Sequence, residues 1–336
     1  MILFELPMRA LAALRAHMPG LGVTALATLL AAGLADRLAA PLTLLALLIG
    51  LSLNILSASP RLSPGLAWAS RDLLRWAIVL VGARITLGQI IALGPQALLA
   101  VMLIVASTIA VGVLAARLLG LGSAFGTLSG GAVAICGASA AMALATTLGD
   151  RRIRQADLTL VLVGTSTMSS LALLLYPALC RFGGLSDVQA GFVMGASIHD
   201  VAQTLGAGYA HSPGAGETAT IVKLARVALL APVLALVALA FKAGGANRTS
   251  AAPLLPWFII GFFLVAMINS VGIIPRQVAD IMTTMSGWML AASVAATAIR
   301  SPLRDLVKAG ARPLLVGVVA SLVSLGLAFA YAVLTL

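Results

Sequence analysis

A chain of 336 residues that is 61% hydrophobic and 9% charged, with a mean hydropathy of +1.11, is not an ordinary soluble domain; those carry roughly 25% charged residues. The net charge of +11 does not read as a nucleic-acid footprint either: the basic residues are scattered through loops and helix ends, with no aromatic platform and no basic run beyond Arg151, Arg152 and Arg154. The excess suits anionic lipid head groups and an anionic ligand.

In chain order, Pro, Gly and polar residues punctuate eleven apolar segments: about 21–40, 41–57, 71–88, 95–119, 123–148, 157–182, 187–209, 217–242, 253–272, 276–299 and 310–335. The pattern predicts an all-α polytopic membrane protein of about 11 transmembrane helices. The first run leads directly into further spans, which argues against a cleaved signal peptide. Cys136 and Cys180 lie in apolar segments without CxxC spacing, so neither a disulfide framework nor a zinc site is indicated.

An internal repeat is legible. Gly50-Leu51-Ser52-Leu53-Asn54 in segment two is echoed by Gly195-Ala196-Ser197-Ile198-His199 in segment seven, about 150 residues further on. Arg71 and Arg75 in segment three correspond to Lys223 and Arg226 in segment eight, and Cys136-Gly137-Ala138-Ser139 in segment five to Leu290-Ala291-Ala292-Ser293 in segment ten. The expected organisation is one extra helix (1–40) and two five-helix repeats (41–182 and 187–336). Because five is odd, the repeats enter the membrane inverted, with the site between them. Segments five and ten, both fourth in their repeat, are then expected to be discontinuous and to cross. Basic residues weigh modestly toward a cytoplasmic N-terminus, with 151–154 opposing.

Segment five, reading SGGAVAICGASAAMALA over 129–145, is apolar enough for a bilayer and too rich in Gly and Ser for a sound continuous helix. Backbone left unpaired there must face protein or water rather than lipid, so a broken helix is a candidate binding site whose free N–H groups point at a ligand. Gly130, Gly131, Gly137 and Ser139 are the expected anion donors, with Ser293 contributing from segment ten. The glycines also suit close helix packing. Cys136 reads as a small packing residue.

Of ten acids, seven fall in loops or at helix ends, and Asp72 is spaced to pair with Arg75. Neither expected break carries a carboxylate at its centre, which argues against cation transport. Lys223 and Arg226, three apart on one helix face, are the residues to compensate a bound anion or to pair with Asp200, with snorkelling to the head groups as the alternative. His199, Asp200 and Gln203 form a polar cluster suited to a coupled proton or to ordering the site. A Ser139-His199-Asp200 hydrolase is disfavoured: adjacent His and Asp on a helix diverge by about 100°, and there is no GxSxG elbow.

The motifs ICGASA at 135–140, GASIHDVAQTLGAG at 195–208 and VKLARV at 222–227, with LLRWAIVLVGARITL at 73–87, resemble the YeiH-like family of bacterial inner-membrane proteins that carry the name of sulfate exporters. The likeness covers nearly the whole chain. It implies membership of a wider group of bile-acid, Na⁺/H⁺ and arsenite-type carriers. With that come a panel domain, a core domain with two crossed broken helices, and elevator-type movement. One departure is the reading Ala295-Ala296-Thr297 where family members often have a glycine. The resulting expectation is a non-enzymatic secondary transporter of sulfate, sulfite or an organosulfonate, with no cofactor and with H⁺ or Na⁺ as coupling ion. A Na⁺-coupled organic-anion symporter, an anion channel and a sensory membrane component are the alternatives. The alanine-rich lipid-facing surfaces suit a homodimer and a monomer equally.

Overall fold

The computed structural model describes residues 2–38, 40–241, 256–301 and 311–336. Of the expected segments, residue 39 of the first and the ends at 242, 253–255 and 310 lie outside them. Every regular element among the described residues is helical. In chain order these are α1 (Ile2–Leu38), α2 (Leu42–Ser52), α3 (Ser63–Trp68), α4 (Leu74–Val81), α5 (Leu87–Ala92), α6 (Gly94–Leu118), α7 (Gly122–Ala134) and α8 (Ala138–Leu148). There follow α9 (Gln155–Phe182), α10 (Asp187–Ser197), α11 (Val201–His211), α12 (Pro213–Ala228), α13 (Leu230–Ala240), α14 (Trp257–Ser270), α15 (Arg276–Ile299) and α16 (Ala311–Thr335).

Six stretches among the described residues are long and apolar enough to cross a bilayer: Arg15–Leu38, Gly94–Leu118, Gln155–Phe182, Pro213–Ala240, Arg276–Ile299 and Arg312–Thr335. Segment nine begins outside the described residues and continues as the short helix α14, and the remaining apolar segments are interrupted. A turn of wider π pitch (Ala69–Leu73) separates α3 from α4, and segments five and seven each divide into two half-helices of 11 to 13 residues. Segment ten, expected to hold the second break, is instead the unbroken helix α15. Its 290–299 stretch holds no Gly or Pro, so nothing there competes with the helix. The second broken segment is therefore seven, not ten.

The chain forms two compact units, one from Met1–Arg84 with Gly261–Ser301, the other from Ile85–Ile260 with Pro302–Leu336. These boundaries cut through both expected repeats.

In the first unit α1 crosses α3 at Gly20 and Gly65, where a side chain on either would strike the other helix's backbone. Asn54 caps the end of α15, its amide donating to the carbonyls of Ile299 (2.9 Å) and Ser301. Asp72 and Arg75 pair at 3.1 Å, as their spacing predicts. Arg300 donates to Ser70 Oγ at 2.6 Å.

In the second unit glycines set helix separations. A Cβ at Gly112 of α6 would lie 2.6 Å from Gly130 Cα of α7, and one at Gly126 would lie 2.6 Å from Val113 Cα. Gly191 and Gly195 do the same for α10 against α12, with Ala215 O and Val222 Cβ 2.6 and 2.7 Å from the positions their Cβ atoms would take. In lipid there is little hydrophobic gain between helices, so such close approach supplies much of the packing energy.

Gly126→Leu is expected to lower the melting temperature by several degrees, an overpacking cost of at least ~1–3 kcal/mol. Gly33→Ala, where an added Cβ would meet nothing within 4 Å beyond its own helix backbone, should leave the melting temperature unchanged or slightly raised. Thermal melts of the detergent-purified variants check both.

Candidate functional site

Segment five breaks because Gly137 takes φ +62° and ψ −117°, a conformation that side-chain-bearing residues avoid. At the end of α7 Ile135 N donates to Gly131 O (3.2 Å) and Gly137 N to Ala132 O (2.8 Å). The carbonyls of Val133, Ala134 and Ile135 are left without helical partners. Segment seven breaks for a different reason. Ile198 is extended (φ −70°, ψ 138°), and Asp200, also extended, caps α11 by accepting from Ala202 N at 3.1 Å. Asp200 N donates to Ser169 Oγ of α9 at 3.1 Å, and Ser324 of α16 donates to Ala196 O at 3.1 Å.

Two fully buried cations on α12 meet both open ends. The Lys223 ammonium donates to Ile135 O (2.9 Å), Ile198 O (2.7 Å) and His199 O (2.7 Å). The Arg226 guanidinium donates to Val133 O (2.8 Å), Ala134 O (2.8 Å), Gly195 O (3.0 Å) and Ile198 O (2.9 Å). Each cation joins the C-terminal end of α7 to that of α10. Burying an ion costs several kcal/mol. Charge-assisted bonds to carbonyls at two negative helix ends offset that cost.

The outer ends of the half-helices follow the same rule. Arg152 donates to Leu148 O at the end of α8 (3.2 Å) and to Phe241 O after α13 (2.9 Å). Arg181 donates to Ala210 O (2.8 Å) and His211 O (3.3 Å) at the end of α11. The N-terminal ends differ. That of α11 has Asp200, whereas Gly137 offers α8 no side-chain cap, and Ala138 and Ser139 there are exposed.

The two breaks touch. A Cβ on Gly137 would stand 3.8 Å from His199 O and 3.9 Å from Thr165 Oγ1. His199 is fully buried with Nε2 2.9 Å from Ser321 Oγ of α16. The Ser321 hydroxyl has one proton for two acceptors, Gly317 O at 2.7 Å and the ring nitrogen, so either tautomer of His199 fits this contact. His199 Nδ1 and Gln203 Oε1, both buried, have no hydrogen-bond partner among the described residues. No cluster suited to a metal ion occurs among them.

Of the residues expected from the sequence, Gly137, His199, Asp200, Lys223 and Arg226 converge on the breaks, with Gln203 in the first turn of α11 and Ser139 in the first turn of α8. Gly130 and Gly131 do not. They lie within α7, Gly130 against Ile109 and Gly112 of α6 and Gly131 against Leu144 of α8, so their role is packing. Ser293 belongs to the first unit, on unbroken α15, and donates to Leu290 O at 2.8 Å. Lys223 has no N–H left over for a ligand. Its charge reaches the site through the carbonyls it holds. Sequence reasoning missed Thr165, Ser169, Ser321 and Ser324, although TSTMSS at 165–170 is a visible polar stripe in an apolar helix.

These features define a multi-pass membrane protein with two discontinuous helices fastened end to end by buried cations. The chain belongs to the UPF0324 family of membrane proteins, the YeiH-like family that its motifs resemble. Residues 19–317 match the family described as Conserved hypothetical protein 698. The chain is 43% identical over 314 residues, 92% of each chain, to "UPF0324 membrane protein TauZ" of Paracoccus denitrificans. It is 38% identical over 295 residues (87% of this chain, 86% of the relative) to "UPF0324 membrane protein RB0971" of Rhizobium meliloti. It is 39% identical over 300 residues (87% and 83%) to "UPF0324 membrane protein CT0845" of Chlorobaculum tepidum. No solved structure matches.

Lys223→Met and Arg226→Met are expected to lose folded protein, not ligand affinity alone, at about 1–3 kcal/mol for each carbonyl stranded. Arg226→Lys, with a charge but no fork, should fall between. Size-exclusion profiles and melts decide it; a wild-type melt for Arg226→Met contradicts the clamp.

Proposed function

We propose that this protein is a secondary active transporter of a small anion, with sulfate, sulfite or an organosulfonate as the substrate class, in the bacterial inner membrane. The observation that carries the reading is the pair of unit positive charges fully buried where two broken helices meet, beside a helix N-terminus that no side chain of its own cap residue closes. An anion there is held by the first N–H groups of α8 and by the Ser139 hydroxyl, while Lys223 and Arg226 supply the field at one remove. The TauZ name of a relative 43% identical points to a taurine-related role for that protein and agrees with a sulfonate substrate here.

His199, with the buried Nδ1 that lacks a partner among the described residues, and the Asp200 carboxylate are the groups to take a coupling proton, while Gln203 orders the site. Gln203 Oε1 and the Asp200 carboxylate, as oxygen ligands, suit Na⁺, which keeps the sodium-coupled symporter as second reading. We further propose that the half-helix pairs complete about eleven spans arranged as an extra helix and two inverted five-helix repeats. Transport then proceeds by elevator-type alternating access, with the unit that carries both breaks as the moving part. No catalytic chemistry is called for.

Proteoliposomes loaded with ethanesulfonate, sulfite or sulfate test this by counterflow with and without sodium. Uptake of at least one sulfur oxyanion is expected, independent of sodium and several-fold slower in Ser139→Ala. Strict sodium dependence moves the assignment to the symporter. No flux of any of the three, with protein that melts cooperatively, overturns the proposal.

A further inference from the structure

We infer that the site selects a singly charged oxyanion of the sulfonate class over a divalent one such as sulfate. The inference rests on the anion-transport reading above and narrows its substrate. It follows from counting the charges that meet at the two helix breaks.

Lys223 is present as the ammonium: its nitrogen faces three carbonyl oxygens at 2.7–2.9 Å, and only the charged form has three donors to give them. A neutral amine would turn a lone pair toward a carbonyl. Arg226 is charged in any protein environment. Against these two stands one carboxylate, Asp200, half-buried and held by the α11 amide of Ala202. No aspartate or glutamate among the described residues is fully buried. Elsewhere in this unit Asp157 is paired with Arg154 at 2.8 Å, and Glu217, which accepts from the neutral Gln89 amide at 2.9 Å, keeps its charge about 9 Å along α12 from Lys223, outside the count at the breaks.

The helix ends do not alter the balance. Two C-terminal ends (α7, α10) and two N-terminal ends (α8, α11) converge at the breaks, each equivalent to roughly half a charge, and they cancel in pairs. One positive charge is left over. A monoanion brings the loaded site to neutrality. A dianion leaves a net negative charge in surroundings that solvate it poorly.

The test compares ethanesulfonate and sulfate, at matched ionic strength, by thermal-shift titration of the detergent-purified full chain. The wild type is set against Asp200→Asn. Asparagine is as good an N-cap as aspartate, so the variant removes a charge and keeps the cap. The wild type should bind ethanesulfonate at least tenfold tighter than sulfate. Asp200→Asn, with two positive charges in excess, should narrow that ratio at least tenfold or invert it. Sulfate binding as tightly as ethanesulfonate in the wild type, or a ratio unmoved in Asp200→Asn, overturns the charge count and leaves the anion reading standing. No stabilisation of the wild type by either anion sinks both. Should Asp200→Asn not fold, the wild-type ratio alone decides.

Discussion

Two cations on one turn of α12 hold the ends of two interrupted helices together. Seven hydrogen bonds, all to backbone carbonyls, run from Lys223 and Arg226 to the C-terminal ends of α7 and α10 and the residues that follow them. Without them the interruption of segments five and seven would strand a set of carbonyls inside an apolar unit, at a cost the packing could not absorb. The clamp makes the breaks affordable. The break also leaves the first N–H groups of α8 without helical partners at its exposed start, where a continuous helix would have none to offer.

The glycines belong to this constraint rather than to the ligand. Arg226 and Lys223 reach across from α12 because Gly191 and Gly195 let α10 lie against Ala215, Ala219 and Val222. Gly130 does the same for α7 against α6, and this fixes the end of α7 where Arg226 meets it. Gly137 is different in kind. Its positive φ is the kink itself, and it seats the start of α8 against His199 and Thr165. Packing glycines and polar caps thereby meet at the junction of the two breaks.

Much of this could be read from residue order. Composition gave the membrane, the Gly- and Ser-rich 129–145 stretch marked one break, and Lys223, Arg226, His199 and Asp200 were all visible as the polar minority of apolar segments. The second break was misplaced. Repeat matching pointed to Ser293, but Leu290-Ala291-Ala292 is good helix, whereas the Ser197–Asp200 stretch interrupts itself because an aspartate there competes for the helix N–H groups. The role of the cations is the other difference, since the sequence offers them as direct compensation for a bound anion. Spacing shows that Lys223 and Arg226 share a face; it does not show that the face looks onto two helix C-termini. That is a tertiary fact, as is the contact of His199 with Ser321, 122 residues away.

The claim at the centre is that the start of α8 is an electropositive, anion-receiving surface supported from behind by the clamp. The rate at which a thiol there meets charged reagents tests it most directly. In a background with Cys136 and Cys180 replaced by alanine, Ser139→Cys would be reacted with two methanethiosulfonates of similar size, one bearing a sulfonate and one a trimethylammonium. The account predicts that the anionic reagent reacts at least tenfold faster, with ethanesulfonate slowing it. Equal rates, or a faster cationic reagent, would contradict it.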